Sequence, residues 1–285
     1  MAYKFAAQES VAAGLRRVVS EQALKAEETA REGTSDPQAA IHSVRRRCKK
    51  IRAALRLARG SFRGYRQENA AVRDAARALG ALRDRPVVLE TYDALVDELD
   101  LTPEPAERER LASRLATNAV EDPVKPLLVF ADSMGDLATR SRNWKLERQG
   151  FAALQKGLEI TYRRMRRAQR RAARRPTAET LHDWRKLVKY HAHHLGLLGL
   201  SAPHVLLATR AAANDLADIL GRHHDLDMLS AALSDDTLLT PVIAGRKGEL
   251  EAQAFHLGTE LSAEPVSAFL VRCEAYWDDW RAIGE

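Results

Sequence analysis

Aromatic residues make up only 6% of this 285-residue chain. A core built from it must therefore be mostly leucine, alanine and valine. With 15 glycines and 10 prolines, helix breakers are few, which favours an all-α chain over a turn-rich β architecture. Two cysteines, Cys48 and Cys273, are too few for a disulfide or cysteine-based metal framework. No stretch approaches 18 uninterrupted apolar residues, so no transmembrane helix is expected. The first five residues lack the apolar core of a signal peptide. A cytoplasmic location is the resulting expectation. No alternating apolar pattern is long enough for a strand. The most informative absence is local: no acidic residue lies between Asp36 and Glu68.

Inside that acid-free window, residues 41–59 carry two interleaved stripes. Ile41, Val44, Cys48, Ile51, Leu55 and Ala58 step by three and four and form an apolar face. One residue further on, His42, Arg45, Lys49, Arg52, Arg56 and Arg59 repeat those steps. They form a basic stripe turned about 100° from the first. From His42 to Arg56 it runs roughly 21 Å at 1.5 Å per residue, and Arg46, Arg47 and Lys50 widen it. Like charges at these spacings destabilise a helix by a few tenths of a kcal/mol per pair, roughly. A solvated face is the bland reading of a charge run. This one has a single sign, and it returns.

His182, Arg185 and Lys189 each lie 140 residues after His42, Arg45 and Lys49. Leu181, Trp184, Val188, His191 and Leu195 take the apolar steps beside them. A second echo follows at an offset of 141, where residues 74–84 match residues 215–225. It repeats Asp74 as Asp215, Gly80 as Gly221 and Asp84 as Asp225. The chain therefore reads as an internal duplication with a period near half its length. Its halves are residues 1–143 and 144–285, within one domain. Net charge is +6, concentrated in a few helices, which suggests an anionic partner.

At these residues the chain resembles the CHAD family, the conserved histidine α-helical domain. The His-x-x-Arg-x-x-x-Lys-x-x-Arg pattern is complete at His42, Arg45, Lys49 and Arg52. In the second copy His182, Arg185 and Lys189 match, while Ala192 and His193 stand where Arg and Tyr are expected. Gly80, Arg83 and Asp84 carry a Gly-x-x-Arg-Asp pattern, answered by Gly221, His224 and Asp225. The resemblance implies two tandem helical bundles related by a pseudo-two-fold axis, with the two basic helices facing a central groove or channel. It also implies binding of inorganic polyphosphate and association with polyphosphate granules.

The helical reading in order is residues 8–32, 37–60, 62–82, 86–99, 104–118 and a sixth helix, capped at 121–123, that runs to 142. The second half gives 146–174, 177–199, 202–221, 225–233, 238–260 and 263–280. The expected polyphosphate ligands are His42, Arg45, Lys49, Arg52 and Arg56, with His182, Arg185, Lys186 and Lys189. Arginine offers planar paired donors to phosphate oxygens and lysine a point charge. Arg163, Arg166, Arg167 and Arg170 form a second tier, placed by charge alone.

Asp74, Asp84, Asp215 and Asp225 read as acids that orient arginines or cap helices. Neighbouring cations should keep His42 and His182 neutral near pH 7. His191, His193, His194, His223 and His224 invite a metal reading, since His191 and His194 at i,i+3 could chelate and Asp225 and Asp227 are near in sequence. No HExxH or Cys-rich spacing supports it. His191 falls on the apolar stripe, where a satisfied core histidine is expected. No metal, cofactor or catalytic set is expected. The alternatives are a metal-assisted phosphoanhydride hydrolase or phosphotransferase using the repeated aspartates, and a nucleic-acid or protein interaction scaffold. The basic stretches hold few stacking aromatics, only Tyr162, Trp184 and Tyr190, which disfavours single-stranded nucleic acid.

Overall fold

Proline at the first turn of a helix forfeits no hydrogen bond, because that N–H has no helical partner anyway. Pro37 opens α2 (Pro37–Ala58) in this way, and the Asp36 carboxylate before it accepts from the Ala39 N–H at 3.2 Å. The computed structural model describes residues 3–33, 35–79, 84–98, 106–116, 124–233 and 239–283. Ser10 caps α1 (Val11–Glu32) by accepting from the Ala13 N–H. Thr177 caps α8 (Ala178–Leu198) in a reciprocal box with Thr180. The remaining helices are α3 (Tyr65–Ala78), α4 (Asp84–Glu98), α5 (Glu107–Ala116), α6 (Val124–Ser141), α7 (Ala152–Arg174), α9 (Ala208–Ala232), α10 (Leu239–Leu261) and α11 (Val266–Ile283). The fold is all-α, with eleven α-helices and no strand among the described residues. No helix among them is long and apolar enough to cross a membrane.

The largest departures from the sequence reading are three. The helix expected from residue 146 begins only at Ala152. Gly150 adopts φ +56°, outside the helical region. The segment before it is held elsewhere, with the Glu147 N–H donating to the Ser61 carbonyl at 2.8 Å and the Arg148 N–H to Ser61 Oγ at 2.7 Å. The helices expected over 202–221 and 225–233 are one continuous helix, α9, preceded by a π-helical turn over Pro203–Leu207. Gly221 does not break it. A mid-helix glycine costs about 1 kcal/mol against alanine, but here it makes room. A Cβ at Gly221 would stand 2.7 Å from an Arg185 guanidinium nitrogen. The third helix ends at Ala78, with Leu79 as its C-cap, short of the expected 82.

Both apolar stripes are buried. Ile41, Val44, Cys48, Ile51, Leu55 and Ala58 of α2, and Leu181, Trp184, Val188, His191 and Leu195 of α8, are at most 2% exposed. α2 is the hub: it packs on α1, α3, α7 and α8, and one continuous core joins it to both halves of the chain. Gly157 of α7 lets that helix cross α2 at very short range, since a Cβ there would overlap the Leu57 carbonyl. Residues of α4 and α5 belong to the first half by sequence but pack with the second. Val88, Tyr92, Leu95 and Leu111 share a separate small core with Leu226, Leu229, Ile243 and Leu250 of α9 and α10. α11 closes the main core with Phe269, Cys273 and Trp277, and Trp277 meets Phe5 edge-on at 5.9 Å.

Candidate polyanion-binding cleft

A basic stripe one residue out of phase with a buried stripe lies at the edge of the helix–helix contact, half in and half out of solvent. In α2 and α8 these edges converge. A cleft of about 530 Å³ is lined by Arg45, Lys49 and Arg52 from α2 and by His182, Arg185, Lys186, Lys189, Tyr190 and His193 from α8. His224, Asp225 and Met228 of α9 and Val87 of α4 complete it. Six cationic side chains from two helices thus face one cavity. Low-dielectric walls around such a set focus a positive potential.

The anchoring of these cations is specific. Arg45 Nη1 donates to the Ala76 carbonyl of α3 at 3.2 Å. Arg52 Nε donates to Asn69 Oδ1 at 3.3 Å. Burial, reinforced by the neighbouring Arg56 and Arg73 guanidiniums, presses the Arg52 pKa down. Lys186 pairs with Asp183 at 2.6 Å one turn away on α8. Gly221 brings α9 against the Arg185 guanidinium, as described above.

The remaining members of the first stripe turn to other work. His42 is exposed at the start of α2 and is not part of the cleft lining. Arg56 lies over the Tyr190 ring at 4.2 Å and donates to Asn69. Arg59 donates to the Gly157 carbonyl and to Thr161 Oγ1, both at 3.1 Å, and so ties α2 to α7. The second-tier arginines of α7 also lie outside the cleft lining. Arg163 pairs with Glu159, Arg166 donates to the Ser262 carbonyl at 2.8 Å, and Arg167 and Arg170 are exposed. Charge alone placed them, and charge carries no information about which way α7 presents its faces.

Of the repeated acids, Asp225 lines the cleft. Asp74 is exposed and pairs with adjacent Arg73 at 2.8 Å, which holds its carboxyl below the usual range. Asp215 is exposed on α9. Gly80, Arg83 and the side chain of Asp84 lie outside the described residues.

The histidines divide by environment. His182 meets His224 with ring centroids 4.6 Å apart. Burial first, then His224, Lys186 and Arg185, push the His182 pKa down to about 4. Burial and the Lys50 and Arg210 cations push His193 down to about 3. Both rings are therefore neutral near pH 7 in the unliganded protein. His191 is a core residue, 5.1 Å from Tyr162 and 5.5 Å from Phe269. His194 Nε2 donates to the Ala53 carbonyl at 3.0 Å. His223 bridges Asp227 at 3.2 Å and Glu251 at 2.9 Å, joining α9 to α10. No group of three or more histidines, cysteines or carboxylates among the described residues is arranged to hold a metal ion.

A sequence model of the CHAD domain matches residues 17–234. The chain belongs to the CHAD family. Neither a curated protein nor a solved structure matches it. The CHAD match spans α2 and α8, and with them every residue of the cleft. It stops before α10 and α11, which nonetheless share the hydrophobic cores of the CHAD helices. Within the CHAD region, the sequence reading did not single out Tyr190, His193, His224, Met228 and Val87 as expected ligands, yet they line the cleft. A signal existed for two of them. Lys186, Tyr190 and His193 step by four and three on α8, and so continue the basic stripe. Val87 and Met228 carry no such signal, because only packing brings α4 and α9 to the cleft.

Proposed function

We propose that the cleft between α2 and α8 binds inorganic polyphosphate and that the protein is a non-catalytic binding module. The observation that carries this reading is the convergence of Arg45, Lys49 and Arg52 with Arg185, Lys186 and Lys189 on one cavity. Cations repeated along two helix axes match a ligand whose charge also repeats along a line. Guanidiniums take phosphate oxygens in pairs, and ammonium groups supply adjustable point charges between them. The equivalence of the two basic helices at a 140-residue offset supports a duplicated scaffold whose copies contribute to one groove. A soluble cytoplasmic protein that associates with polyphosphate granules is the setting this reading implies.

The test is calorimetric titration with long-chain polyphosphate at two salt concentrations, with orthophosphate release assayed in the same samples. Tight binding that weakens steeply with salt, without release, is expected, because each neutralised phosphate frees counterions. Absence of binding would overturn the reading. Release of orthophosphate would overturn its non-catalytic part and return attention to Asp225.

A further inference from the structure

The cleft is not uniform from wall to wall. Its α2–α8 side is cationic. Its α4–α9 side presents Val87, Met228 and His224, whose ring stands 4.6 Å from that of His182 across on α8. His182 stays uncharged at neutral pH, so in the unliganded protein it offers a flat ring rather than a cation. A bare phosphate chain gains nothing from aliphatic and aromatic walls, since it has no apolar surface to bury. The same α9 wall holds a carboxylate, Asp225, which repels phosphate. Asp225 instead suits an N–H donor on a planar heterocycle, the pairing that acidic side chains make with base edges. A cavity of about 530 Å³ is within the range that encloses a small ligand.

From this juxtaposition we propose that the cleft also takes nucleoside triphosphates. The phosphates lie between α2 and α8, and the base rests on the Val87–Met228–His224 wall with its amino edge toward Asp225. The proposal rests on the polyanion reading, since the same lysines and arginines hold the phosphates. It adds a second class of ligand, in competition with polyphosphate for one site.

The test compares ATP with methyl triphosphate, which carries the same phosphate groups and no base. Titrations are run on the full chain without divalent metal, alongside long-chain polyphosphate. ATP is expected to bind about tenfold more tightly than methyl triphosphate, the scale of one base stacked on protein rings. In the variant Val87→Ala/Met228→Ala, checked for native helicity, the ratio is expected to fall towards one. Saturation-transfer NMR on the unmodified protein is expected to mark the adenine protons more strongly than the ribose protons, which needs no variant. Equal affinity for ATP and methyl triphosphate, with polyphosphate still bound, would overturn the base site alone. Failure of all three ligands to bind would overturn the polyanion reading beneath it.

Discussion

His194 Nε2 donates a 3.0 Å hydrogen bond to the Ala53 carbonyl, joining α8 to α2 within the core. A carbonyl only accepts, so Nε2 carries the proton and Nδ1 must stay bare. That Nδ1 is buried without a hydrogen-bond partner, as is Nδ1 of His191. Protonating either ring places a charge in the core.

Acid sensitivity follows. Burial drives the His194 pKa well below its ordinary value and that of His191 down to about 3. Both unfolded-state values are higher, so the unfolded chain binds more protons as pH falls below 6.5. The stability these neutral rings contribute is present above about pH 6.5 and is lost progressively below it. Each contributes a slope of up to about 1.4 kcal/mol per pH unit. His223 acts with the opposite sign: burial opposes its charge, but Asp227 and Glu251 outweigh burial and raise its pKa. Its contribution is already complete below pH 6.5 and does not mask the effect. Urea midpoints measured from pH 7 to 4.5 should fall steadily, and His191→Leu should flatten the slope by about one proton.

Reversing charge at Arg45 and Arg185 together, as Arg45→Glu/Arg185→Glu, should abolish polyphosphate binding while leaving far-UV helicity intact. The single changes should weaken binding and make the salt dependence shallower by about one counterion each. Titration calorimetry across a salt series reads both effects. Full binding by the double variant would move the site off the α2–α8 cleft.

Gly157→Ala sets two effects against each other. Alanine is a better helix former by about 1 kcal/mol. Its methyl group, however, would overlap the Leu57 carbonyl where α7 crosses α2. A backbone carbonyl in a central helix cannot swing aside as a flexible side chain does. Overpacking of this kind costs typically about 1–3 kcal/mol, so net destabilisation is expected, seen as a lower urea midpoint than wild type.

Cys48 and Cys273 are each 1% exposed, and burial pushes both thiols up to about 12. The thiolate is the reactive form. A chromogenic disulfide reagent at pH 8 should therefore label neither in the native protein and both in denaturant. Fast labelling of native Cys48 would mean that α2 leaves the core far more often than its packing implies.

Much of the fold was legible in local chemistry. Asp36–Pro37 and Thr177 marked the starts of α2 and α8, because capping and proline sterics act within a few residues. The three- and four-residue steps of Ile41 to Ala58 determined the buried face of α2, because the helical period fixes angles about a single axis. The same period placed Arg45, Lys49 and Arg52 beside that face, and the 140-residue echo identified Arg185 and Lys189 as their counterparts.

Tertiary structure decided which of these cations meet. Arg56 and Arg59 obey the stripe as well as Arg45 does, yet neither lines the cleft: Arg56 lies over the Tyr190 ring and Arg59 is tied to α7. The α7 arginines are as basic as any in the chain, yet they lie outside the cleft. Gly221 reads as a break and instead seats α9 against Arg185. Val87 and Met228 reach the cleft only because α4 packs on α9. Periodicity specifies directions around one helix, whereas a binding site depends on how helices more than a hundred residues apart cross. That crossing is fixed by the packing of buried side chains from several elements at once.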